Sequence, residues 1–190
     1  MRLRTALAAA ILLAPAAASA HTGIGDTSGL AHGFAHPFSG PDHLLAMFAV
    51  GLFAFRLGGA ARWAVPAAFV GMMVAGGMLG FEGVELPFVE TGIALSVLAL
   101  GLAVAAGVAP PVAVAAALVG FFAIFHGHAH GGELPAGVGA ASYTAGFVLA
   151  TGLLHAAGLA VGALLTGRVA AVRFGGAAVA LAGVALLAGV

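Results

Sequence analysis

The 190-residue sequence contains no cysteine and no lysine, and only 6% of it is charged. The missing cysteine removes disulfides and thiolate metal sites from consideration. A soluble domain carries about a quarter charged residues, so the scarcity of charge excludes an ordinary soluble fold. Formal net charge is zero and no basic run exists, which excludes nucleic acid as a partner. There is no GxxxxGK[ST] sequence and no soluble segment large enough to hold a nucleotide, so the chain carries no motor of its own. What fills the space is apolar: 63% of residues are hydrophobic and the mean hydropathy is +1.18. The composition is that of an all-α polytopic membrane protein embedded in the lipid bilayer.

The first twenty residues, MRLRTALAAAILLAPAAASA, read as a secretory signal peptide. Arg2 and Arg4 form a positive start, Ala6 to Leu13 an apolar core, and Ala18 to Ala20 an A-x-A cleavage site. Cleavage there gives a mature chain beginning at His21. Apolar stretches of about twenty residues are candidate transmembrane helices. They predict a six-helix domain over 21–190, with spans near 39–57, 63–81, 88–108, 110–126, 138–165 and 169–190. The breaks between them are Gly, Pro and charge clusters. Arg56 and Arg62 fall in the first loop, Arg168 and Arg173 in the fifth. The positive-inside rule then makes those loops cytoplasmic and puts the mature N-terminus in the periplasm of a bacterial inner membrane. Nearly every acid and histidine collects on the other side. The 31 glycines, in spacings such as Gly76/Gly80 and Gly158/Gly162, suit close helix packing and need no chemical role.

Two stretches carry candidate chemistry. In HPFSGPDHLLAM (His36 to Met47), Ser39, Gly40 and Pro41 read as a helix start. Asp42 and His43 occupy its first turn, and Met47 lies one turn beyond His43 on the same face. Pro37 and Gly40 put His36 on a bent segment that can fold back toward them. An acid at a helix start is explained by capping and by the helix dipole. Two histidines beside it are not, and ionisable groups at membrane depth are costly and usually functional. In FHGHAHGGE, a continuous helix puts His126, His130 and Glu133 on one face and turns His128 elsewhere. Gly131 and Gly132 weaken that helix, so Glu133 fits either a helix or a loop. Imidazole and carboxylate together suit zinc, nickel, cobalt or iron. The two stretches also echo each other, HGFAH (His32 to His36) against HGHAH (His126 to His130), as two similar entry elements would.

Glu90 follows Pro87 at a helix start and enters an apolar run, which makes it the best third contributor to a shared site. His155, mid-span near Thr151, fits a packed hydrogen-bonded residue or a relay equally well. His21 would be the new terminus, where amine and imidazole can chelate together.

HPFSGPDHLLAM together with FHGHAHGGELP, on a six-helix chain behind a signal peptide, resembles the HupE/UreJ family of hydrogenase and urease accessory proteins, regarded as secondary nickel permeases. The resemblance runs over about 21–190. It looks more distantly like nickel/cobalt permeases with an HxxxxDH signature, although here five residues separate His36 from Asp42. The family pattern implicates His36, Asp42, His43, Glu90, His130 and Glu133, and also Phe69 in the second span. It implies a permease for Ni²⁺, moving it from periplasm to cytoplasm, with no permanently bound cofactor and a functional link to the nickel-insertion machinery of hydrogenase or urease. Co²⁺ and Zn²⁺ suit the same ligands.

On this reading His126, His128 and His130 capture the ion and pass it to His36, Asp42, His43 and Glu90. Met47, Phe69, His155, His21 and His32 are further candidates along the path. The chain is expected not to be an enzyme. HxxxH pairs occur in di-iron membrane oxidases, but no HxxHH box is present. The other readings are a bis-histidine haem cytochrome and a metal sensor or accessory subunit that binds without transport.

Overall fold

The computed structural model describes residues 29–189. The expected signal peptide and His21 lie outside the described residues. Among those described, seven α-helices follow one another: α1 (Gly29–Ser39), α2 (Pro41–Leu57), α3 (Ala61–Phe81), α4 (Val89–Ala106), α5 (Val112–Gly132), α6 (Ala140–Leu164) and α7 (Val169–Leu187). Helices α3 to α7 are each long and apolar enough to cross a membrane, and α1 with α2 qualifies as one bent pair. The protein is a multi-pass membrane bundle.

The bend follows from the sequence at its centre. Proline removes an N–H and pushes the residue before it off helical dihedrals. Gly40, ahead of Pro41, is accordingly extended at φ −113° and ψ 131°, and α2 starts afresh with Pro41 in its first turn. The axes of α1 and α2 diverge by 86°. That α1 is a helix at all goes beyond the bent segment expected from sequence. It holds because Gly33 lets its backbone close on Tyr143 of α6, and Gly146 of α6 closes on Leu30.

Helix α5 is the second difference. It continues to Gly132, past the end expected near residue 126, so FHGHAHGG is helical throughout. Glycine is a poor helix former by about 1 kcal/mol, but here its missing side chain is what α3 packs against. Gly127 abuts the carbonyl of Met73 and Gly131 that of Gly77, contacts no larger residue permits. Such small-residue seams hold helices together in lipid, where apolar burial supplies little net force.

The bundle is apolar outside and encloses a few polar side chains in an apolar core. Trp63, Phe88, Leu164, Phe174 and Leu181 are widely exposed, whereas His43, Ser96, His126, His130, Thr151 and His155 are buried. Helix α6 spans both halves of the bent pair, meeting α1 near Tyr143 and α2 where Gly51 lies on the backbone of His155.

Candidate metal centre

The site is built where the bend in α1–α2 meets the last turns of α5. Asp42 and His43 are placed by the first turn of α2, and the Asp42 Oδ1 accepts the backbone N–H of His43 at 2.7 Å. No side chain caps this helix at Gly40. The carboxylate instead faces the His43 ring, with Oδ1 3.0 Å from Nδ1. On the folded-back α1, His36 Nε2 lies 3.1 Å from Glu133 Oε2, which follows α5. A cleft of about 160 Å³ opens between these elements, lined by His36, Ser39, Gly40, Asp42, His43, Glu90, Ala129 and Glu133.

Hydrogen bonding fixes which nitrogen of each ring stays open. An ionised carboxylate only accepts, so the His43 Nδ1 carries the proton toward Asp42 and Nε2 keeps its lone pair. Carboxylates orient metal-binding histidines in this way. Ser96 on α4 does the same for His126. Its single proton goes to the Ile93 carbonyl at 2.6 Å. The hydroxyl oxygen must therefore accept from His126 Nε2, 2.8 Å away, which leaves Nδ1 with the lone pair. Those two open atoms, His43 Nε2 and His126 Nδ1, are buried without any hydrogen-bond partner, as are both nitrogens of His130. Buried polar groups are nearly always satisfied, and leaving one unpaired costs about 1–3 kcal/mol. One His130 nitrogen carries that ring's proton, so three of these four unpartnered atoms offer a lone pair within one region.

The rings form a continuous file. Centroids of His36 and His130, of His130 and His43, and of His43 and His126 are each 4.7 Å apart, meeting at steep angles. His130 also stacks on Phe147, at 4.7 Å and 9° between planes. Phe69 continues the file, 5.5 Å from His126 on one side and 5.2 Å from His155 on the other. The histidines are gathered but not arranged as a coordination sphere: among the described residues no three His, Asp or Glu side chains are set to hold an ion together. For these rings to share an ion they would have to rotate.

Not every sequence candidate joins the group. His128 turns away, as the helical period requires, and its Nε2 donates to the Val84 carbonyl at 2.7 Å, tying α5 to the loop before α4. His32 is on an exposed face of α1, outside the cleft lining. Glu90 is exposed at the rim. Met47 and His155 lie deeper, and Phe69 lies between His126 and His155. The two HGxAH stretches do converge, since His36 and His130, the last residue of each, are in ring contact. Sequence reasoning missed Ser96, a lone hydroxyl in an apolar run, and Tyr143, whose buried hydroxyl has no partner 6.1 Å (ring centroids) from His36. A larger cleft of about 430 Å³ lies at the opposite end beside Arg56 and Arg62. Its cationic, apolar lining offers nothing to a divalent cation.

The HupE / UreJ protein family matches residues 9–186 of this sequence, including both histidine stretches. The chain belongs to the HupE / UreJ family. Its similarity to Protein HupE of Rhizobium leguminosarum bv. viciae is 53% identity over 190 residues, covering 99% of this HupE / UreJ chain and 98% of that protein. No solved structure matches it.

Proposed function

We propose that this chain is a secondary permease carrying Ni²⁺ from the periplasm to the cytoplasm across a bacterial inner membrane, for hydrogenase or urease maturation. Co²⁺ and Zn²⁺, which take the same ligands, are the competing cargoes. The observation that carries the reading is the file of buried imidazoles with open nitrogens, leading from an acid-lined cleft into the membrane-spanning bundle. Asp42, Glu90 and Glu133 attract the hydrated ion, and His36 and His43 begin to replace its water. His130 and His126 receive it in turn. Carboxylates offset the ion's charge, and imidazoles supply nitrogen ligands suited to nickel. Because the rings must turn to ligate, binding stays weak enough for release, which conduction demands.

Arg56 and Arg173 at the other end support the orientation by the positive-inside rule. His32 does not line the cleft that His36 and His43 share, which favours this reading over a di-iron oxidase built on the His32/His36 pair. The test is ⁶³Ni²⁺ uptake into proteoliposomes. Wild-type chain should exceed empty liposomes clearly, and His36→Ala and Asp42→Asn should each lower the rate by about tenfold to a hundredfold. Wild-type uptake equal to empty liposomes would sink the transport claim.

A further inference from the structure

Below the histidine file, Met73 and Thr151 meet Met47 and His155, two of the path candidates read from the sequence to which the proposed pathway gives no step. Met47 on α2, Met73 on α3 and Thr151 on α6 are completely buried. The Thr151 hydroxyl lies 3.3 Å from the Met47 sulfur and 3.6 Å from the Met73 sulfur. This is unlike four other hydroxyls among the described residues. Ser39, Ser96, Ser142 and Thr166 each donate to a carbonyl three residues back, the usual local solution. Thr151 points across to two thioethers, which are weak acceptors.

His155 lies one turn further along α6. Helical side chains lean toward the helix N-terminus, so its ring leans toward Thr151. The register agrees on both helices: Gly51 lies on the His155 backbone, while Met47 and Thr151 meet one turn earlier. His155 is 2% exposed and its Nε2 has no hydrogen-bond partner. Phe69, on the helix that carries Met73, stands against the His155 ring. The region therefore holds two sulfurs, a hydroxyl oxygen and an imidazole nitrogen without a hydrogen-bond partner, and no carboxylate among them.

We propose that Met47, Met73, Thr151 and His155 form a second, deeper cation site for a borderline-to-soft transition-metal ion. Thioether and imidazole favour such ions, whereas Mg²⁺, Ca²⁺ and Mn²⁺ prefer oxygen. The site's place as a transit station rests on the transport reading; its ability to bind a metal does not. A neutral set holds a divalent cation less strongly than the acidic mouth does, so the ion is passed inward to a site it leaves readily. It also gives selectivity a second stage, since a hard cation drawn in by the carboxylates meets sulfur next.

The experiment uses the full chain, wild type and the double variant Met47→Leu/Met73→Leu, which keeps volume and apolarity while removing both sulfurs. Purified protein is titrated with Ni²⁺ to saturation and its nickel-edge X-ray absorption recorded, and ⁶³Ni²⁺ uptake is followed in proteoliposomes. The expected result is sulfur scattering in the wild type that disappears in the double variant, with uptake slowed about tenfold or more. Nitrogen and oxygen scattering alone in the wild type overturns the site, whatever the variant does. Sulfur scattering that survives in the double variant also overturns it, and so does uptake within about twofold of wild type. Wild-type uptake no faster than empty liposomes removes the transport reading instead, and the sulfur signal then decides the site by itself.

Discussion

At one end of the bundle Arg56 donates to the Val104 carbonyl at 3.0 Å, and Arg173 donates to Ala105 and Ala106 at 2.7 and 3.2 Å. These are the carbonyls left open as α4 ends, and a cation there also meets the negative end of the helix dipole. Arg62 sits over the Phe55 ring at 4.8 Å. These three arginines are engaged with the fold itself. At the other end His43, His126 and His130 are buried with nitrogens aimed at no acceptor or donor. Side chains that complete helix ends are structural, and side chains held open at a cost in stability are held for a ligand. The contrast supports the proposal that the arginine end holds the fold and the histidine end handles the ion.

Several changes break or sharpen that contrast, the largest first. Protons compete with a metal ion for imidazole lone pairs, and imidazolium is no ligand. Acidifying the histidine side from about pH 7.5 to about pH 5.5 should therefore lower nickel uptake and never raise it, because any ring of the file that gains a proton ceases to be a ligand. The sign is fixed by ligation: uptake is full when the rings are neutral and is lost as they gain protons. Uptake that rises on acidification removes histidine ligation. Ser96→Ala takes away the acceptor that holds the His126 tautomer, and uptake should fall by about three- to tenfold, below the loss from a direct ligand. Glu90→Gln, at the exposed rim, should cost at most about fivefold, and less at high salt, because screened surface charges are worth roughly 1 kcal/mol or less. Arg173→Ala should leave uptake within about twofold while lowering thermal stability by about 1 kcal/mol, measured by melting in detergent. An arginine variant that abolished uptake in a folded chain would erase the distinction between the ends.

How much of this was legible in the sequence depends on the kind of constraint. The apolar runs gave the membrane bundle directly, because bilayer thickness sets helix length. The break at Gly40 followed from Pro41, a local rule that needs no tertiary partner. The extension of α5 through Gly131 and Gly132 was not legible, because glycine's poor propensity is overridden by α3 closing on Gly127 and Gly131. The helical period did place His128 away from His126 and His130, but only the structure supplies its partner at Val84. Ser96 looked like one more residue in an apolar helix until His126, thirty positions away, lay against it. Met73 and Thr151 were illegible as a pair for the same reason, their contact being long-range. Signals read along one helix were available, and those made between helices were not.

His130 offers the sharpest single test, since both its nitrogens are open and its ring is stacked on Phe147. His130→Leu removes two unpaired buried atoms and keeps an apolar side chain of similar size. Nickel uptake into proteoliposomes and thermal melting are to be measured on the same preparation, beside wild type. The account predicts uptake reduced to the level of empty liposomes together with a melting temperature at or above wild type, as relief of about 1–3 kcal/mol of unmet polar burial implies. A leucine variant that transports nickel at the wild-type rate would contradict it.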